Sequence, residues 1–207
     1  MLLNKQRDKP LKWRAVFAES ALIGASILLA FALQDWDEER DIEERTLIAL
    51  CNVKSELSFN QILLKNDYIP RQQGMLASVK GTISLLQAQP DGRPPKTDLE
   101  SMLIQESLRY SAWTLAGESG YLLHANFELA TEIGALIDFQ QDSYLSVVNR
   151  INEAVFDRGT QYREAPLDWY VSLSSLINEW VTQTDFLERK YVALFERSDF
   201  IELGCRE

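Results

Sequence analysis

The chain has 207 residues, with 31 acidic against 21 basic side chains and a formal net charge of −10. That balance argues against nucleic acid as a partner, since an acidic surface repels phosphate. Five Trp, seven Tyr and nine Phe in a chain that is 46% hydrophobic exclude a disordered polypeptide.

The first element in chain order is an apolar run of nineteen residues, Ala15 to Leu33, interrupted by one charge, Glu19. A helix rises about 1.5 Å per residue, so the run matches the roughly 30 Å hydrocarbon core of a bilayer. Nine strongly apolar side chains, from Val16 to Leu33, favour insertion by about 3 to 5 kcal/mol in sum. An acid at mid-span would cost about 2.5 to 3.5 kcal/mol, and less near the interface, where Glu19 sits. The run therefore predicts a transmembrane helix over residues 15–33.

Orientation follows from the flanks. Residues 1–14 carry Lys5, Arg7, Lys9, Lys12 and Arg14 against Asp8, whereas residues 35–45 carry seven acids against Arg40 and Arg45. The positive-inside bias then places residues 1–14 as a short cytoplasmic tail. Trp13 and Trp36 bracket the run as interfacial anchors. Two other readings of the run stand beside the anchor. Ala30-Phe31-Ala32 has the small-x-small form of a signal-peptide cleavage site. A Glu early in an apolar helix also occurs in pilin-type N-termini, although Arg14 stands where that class needs a small residue.

Beyond residue 33 the chain holds 16 basic and 29 acidic residues, a net charge of −13, and its pattern is helical throughout. Leu47, Leu50, Val53, Leu57 and Leu64 recur at helical spacing, so one helix from about Trp13 to Asn66 is expected, with residues 34–66 as a stalk and first bundle helix. Tyr68-Ile69-Pro70 should break it. Residues 67–207 form the remainder of the bundle. A second helix is predicted over Arg71 to Gln89, then a loop at Pro90-Asp91-Gly92-Arg93-Pro94-Pro95. Thr97-Asp98-Leu99-Glu100 reads as a capping box opening a third helix. A helix over Ser111 to Glu118 should end at Ser119-Gly120. Asn126 is placed to cap the next, which runs to about Arg158 and is closed by Gly159. Pro166 opens the last, to about Arg197. The fold class is all-α, with a bundle of about five helices beyond the anchor.

Cys51 and Cys205 either pair or remain free thiols. Pairing would close most of the domain into one loop, stabilising it by about 5 kcal/mol in the chain-entropy model.

Two stretches carry a family resemblance. Glu19 through Arg40, ESALIGASILLAFALQDWDEER, resembles the N-terminal anchor of a family of uncharacterised bacterial single-pass inner-membrane proteins. Glu19, Ala30, Trp36 and Glu38 stand in that family's register, with Asp37 for its Asn; its mid-span Gly falls on Ser26 and its Gln on Ala32. Ser111-Ala112-Trp113 through Ser119-Gly120, then Leu123 and the helix after Asn126, is similar to a second pattern of the family. The resemblance implies the bacterial inner (cytoplasmic) membrane, an extracytoplasmic helical domain of unknown function, and no catalytic residues.

No P-loop, GxGxxG or HExxH motif stands in the chain, and His124, the lone histidine, lies among Leu122, Leu123 and Ala125. The expectation is no enzyme, no cofactor and no metal; a carboxylate-only hydrolase trails. The residues singled out for contact with another membrane helix are Glu19 and the small residues at close-packing spacing, Ser20 with Gly24 and Ala21 with Ala25. The simpler reading of Glu19 is a group reaching back to the cytoplasmic interface, toward Arg14 or Lys12. The expected function is a membrane-anchored structural or protein-interaction module, its partners the lipid bilayer and another membrane protein or a second copy. The alternative is a domain that senses small molecules and acts through a partner membrane protein, where Trp113, Trp169, Tyr170 and Trp180 either line a pocket or, as the simpler reading, pack as core.

Overall fold

A computed structural model describes residues 13–89, 94–95 and 97–205; the side chains of Arg14, Ala15 and Ala18 lie outside the described set. Residues 1–12 of the basic tail and most of the Pro90–Pro95 loop also lie outside it. The described chain is all-helical, with no strand. It divides into two compact units, Met1–Glu44 and Arg45–Glu207.

The elements are α1 (Trp13–Leu63), α2 (Ile69–Ala88), α3 (Ser111–Glu118), α4 (Phe127–Asp138), α5 (Leu145–Phe156), α6 (Gly159–Glu164), α7 (Pro166–Phe195) and α8 (Ser198–Ile201). In the first unit α1 is exposed on every side. Phe17, Leu22, Ile23, Leu29 and Phe31 are each more than half exposed, and at 100° per residue they point around the whole circumference. Among the described residues no helix is long and apolar enough to cross a membrane.

In the second unit α7 is the hub, packing on α2, α4, α5, α6 and α8. Its buried residues Tyr170, Leu173, Ile177, Trp180, Thr184, Leu187, Tyr191 and Leu194 alternate steps of three and four, so one stripe of the helix faces the core throughout. Its start at Pro166 and its stripe agree with the sequence reading.

The expected break at Pro70 does not occur. The backbone stays right-handed helical at Leu63 and Ile69, and between them Leu64–Tyr68 forms a single π-helical turn. Pro70 sits in the first turn of α2, where a missing N–H is tolerated best. The buried residues explain the π turn. Asn60, Leu64, Tyr68 and Gln72 are spaced four, four and four. Twelve residues exceed three α turns by about a third of a turn. One turn of i→i+5 bonding takes up the surplus and keeps all four on the core side. The same happens between α4 and α5, where Phe139–Tyr144 is a second π turn and Leu136, Gln140, Tyr144 and Val148 are again spaced four, four and four. The single helix expected after Asn126 is thus a continuous rod with one π turn in it, ending at Phe156 rather than at Gly159.

The capping box at Thr97 does not open a helix. Asp98, not Thr97, accepts a backbone N–H, that of Ser101, and only a short 3-10 turn, Glu100–Met102, follows. Leu99, Leu103 and Leu108 are buried along a segment that then runs without helix to Tyr110. Side chains from the bundle replace the missing helical hydrogen bonds. Arg71 donates to Ser101 O at 2.9 Å, and the Tyr68 hydroxyl donates to Glu106 O at 2.6 Å. Asn60 accepts from Arg109 N at 2.8 Å and donates to Arg109 O at 2.7 Å.

Cys51 and Cys205 are joined in a disulfide across 154 residues of sequence. The free-thiol alternative is set aside.

Candidate functional site

A concavity with mostly apolar walls lies in the second unit between α1 and α3. Its position follows from one acid. Ser111 follows Tyr110, which offers no side-chain cap to α3. The carboxylate of Glu56, on α1, takes that place: it accepts from Ser111 Oγ at 2.7 Å and from Ala112 N at 3.1 Å. An acid at a helix N-terminus satisfies free N–H groups and meets the positive end of the helix dipole. At the far end Gly120, at φ +79°, takes the left-handed conformation that glycine allows, and the chain turns into a 3-10 segment, Tyr121–His124. That segment is fastened to α1: Thr46 Oγ1 donates to Tyr121 O and Arg45 Nη1 donates to the Tyr121 hydroxyl, each at 3.4 Å.

Between these fastenings runs a groove of about 490 Å³. Ile48 and Ala49 form one wall, Ala112, Leu115 and Ala116 the other, with Asn52, Ser111 and Ser119 as polar points and Arg45 beside Tyr121 at one end. Leu115 is 67% exposed and Ile48 53%, so two large apolar side chains face solvent across it. The volume lies in the range of small-molecule sites, with mostly apolar walls and a few polar groups. Sequence reasoning missed this groove. Its walls are residues that break the amphipathic pattern, Ile48 on the polar face of α1 and Leu115 on the outer face of α3, and those breaks are the signal.

Of the two readings of Trp113, Trp169, Tyr170 and Trp180, the core reading holds and the pocket is not formed. Trp169, Tyr170 and Trp180 are buried in the core, Trp113 is half-buried against Gly134, and none lines the groove. Their apolar area stabilises the bundle instead. Trp180 Nε1 donates to the Tyr144 hydroxyl at 2.9 Å, and Thr184 bridges Gln72 and Tyr144. A second buried set joins Asn60, Gln140 and Tyr191, with the Tyr191 hydroxyl donating to Gln140 at 2.6 Å. Burial pushes the Tyr144 phenol up to about 12 and raises Tyr68 and Tyr191 as well. All three phenols are neutral and held in position, Tyr68 and Tyr191 as donors and Tyr144 as an acceptor.

His124 ends the 3-10 turn in an exposed position. Among the described residues no three His, Cys, Asp or Glu side chains come together as metal ligands. In the first unit Glu19, Ser20, Ala21 and Ala25 are exposed and Gly24 is half-exposed, with open space beside its Cα. Trp13 and Trp36 are exposed too, Trp36 with the Arg40 guanidinium 5.9 Å from its ring.

No family model, no curated protein and no solved structure matches this chain.

Proposed function

We propose that the chain is a membrane-anchored interaction module, with the bundle as its working part on the extracytoplasmic side. The observation that carries this reading is the exposure of the apolar segment of α1. Leu22 and Leu28 are each about 70% exposed, and Ile23, Ile27 and Phe31 on the other faces are 50 to 60% exposed. A helix that is apolar all round is stable only when something apolar surrounds it. The charge step, basic before the run and acidic after it, orients such a helix with its start in the cytoplasm. A disulfide in the bundle fits a compartment outside the reducing cytoplasm. Another membrane protein or a second copy, meeting the Ser20, Ala21, Gly24 and Ala25 face, is the partner the anchor suits, and the family resemblance points to the same topology.

The test is alkaline extraction of membranes holding the full chain, followed by protease treatment of spheroplasts. Retention in the pellet with cleavage from outside is the expected result. Release into the alkaline supernatant would sink the anchor, and protection from protease would reverse the orientation. The groove between α1 and α3 supports a second reading, a site for a small apolar molecule. A panel of such molecules should then raise the thermal midpoint of the full chain in micelles, and Leu115→Glu should abolish the shift.

A further inference from the structure

We propose that the Cys51–Cys205 bridge is closed within the folded bundle, by exchange with an external disulfide, and that Lys54 and Phe200 are the positioning residues that bring the two thiols together. The argument starts from α8. Four residues are too few for a helix to hold itself. Its last carbonyls are instead covered by one side chain of α1: Lys54 Nζ donates to Phe200 O at 2.6 Å and to Ile201 O at 3.3 Å. The Phe200 ring is fully buried, edge-on to Phe195 at 5.2 Å, with Lys54 Nζ 5.1 Å from its centroid. Lys54 is three residues beyond Cys51, on the same side of α1, and Cys205 is five beyond Phe200. Docking α8 therefore delivers Cys205 to Cys51, where the two Cα atoms are 5.4 Å apart. In an unfolded chain the two thiols must find each other across 154 residues, a search that docking removes.

Both cysteines are half-buried, so an outside disulfide can reach them. One thiolate attacks that disulfide, forming a mixed disulfide and releasing one external thiol. The second thiolate attacks the protein sulfur of the mixed disulfide and releases the other. Two protein thiols are oxidised and one external disulfide is reduced to two thiols. The partner in the cell is thus a disulfide-bearing thiol oxidant, and this last point rests on the extracytoplasmic placement of the bundle.

The experiment reduces the full chain in detergent micelles, removes the reductant and adds oxidised glutathione. Free thiols are then counted over time by maleimide mass shift, with circular dichroism recorded on the reduced protein. The reduced wild type should keep its helical signal and close the bridge. Lys54→Met and Phe200→Leu should slow closure several-fold while keeping that signal, and Lys54→Arg, which restores a cationic donor, should recover most of the rate. Equal rates in all four proteins, or loss of helix on reduction, would overturn the proposal. Maleimide trapping in native membranes separates the two claims. Blocked thiols support both, whereas free thiols there, with docking-dependent closure in micelles, would sink only the extracytoplasmic placement.

Discussion

The apolar segment of α1 and the core stripe of α7 are built from similar residues and treated in opposite ways. In α7, Leu173, Ile177 and Leu187 are buried at steps of three and four, with Ser, Asn, Gln and Glu on the other faces. Between Phe17 and Leu33 the apolar residues occupy every face and remain exposed. The lesson is that angular distribution, not apolar content, decides what a helix needs. A stripe is satisfied by its own bundle, and a full cylinder needs an environment from outside the chain.

The sharpest way to break that contrast is to charge the cylinder. Ile27→Arg with Leu28→Arg should cost about 5 to 7 kcal/mol of insertion, more than the run gains in total. The full chain should then move from the alkaline-resistant pellet to the supernatant. Asn60→Leu attacks the other side of the comparison. It leaves the part-buried N–H of Arg109 without its Asn60 partner, while the C=O keeps Gln140 Nε2, and should cost about 1 to 3 kcal/mol in chemical denaturation.

The buried phenols give a pH test of the bundle alone. Tyr144 is raised from 10 to about 12 in the fold, so above pH 10 the unfolded state sheds its proton while the folded state keeps it. Stability is intact below pH 10 and falls as pH rises toward 12. The phenolate absorbance of Tyr144, read as the difference between wild type and Tyr144→Phe, should appear together with loss of helical signal, and a difference that develops in an intact fold would contradict the burial. The smallest effect expected is for Glu56→Ala. Losing the cap of α3 should cost about 1 kcal/mol, and faster amide exchange should be confined to Ser111–Glu118.

Much of this contrast is legible in the sequence. The stripe of α7, the Asn126 cap and the turn at Gly120 follow from local chemistry, which the tertiary structure leaves in place. What escapes local reading is where a distant side chain overrides it. Thr97 to Tyr110 opens on a helix signal, yet Asn60, Tyr68 and Arg71 bind its backbone and hold it over the core with only the short turn Glu100–Met102. Asn60 itself looks like a surface residue until its partner, 49 residues away, is known. Glu56 reads as one more solvated acid in an acidic chain, although it positions the wall of the groove. The disulfide was open for the same reason, since composition cannot say which way α8 folds back.

The two π turns also bear on how this chain tolerates changes of length. Each holds one residue more than a regular helix would need over the same rise. Removing Asn66, which is exposed within the first, lets Leu64–Tyr68 relax into ordinary α-helix while α2 keeps its register. The same one-residue loss in the middle of α7, at Gln183, has no slack to absorb it and turns everything downstream by about 100°. Thermal melts of the two deletions should therefore differ widely, the first close to wild type and the second without a cooperative transition. Length variation among natural versions of this bundle is then expected at Leu64–Tyr68 and Phe139–Tyr144, and the hub helix should hold its count.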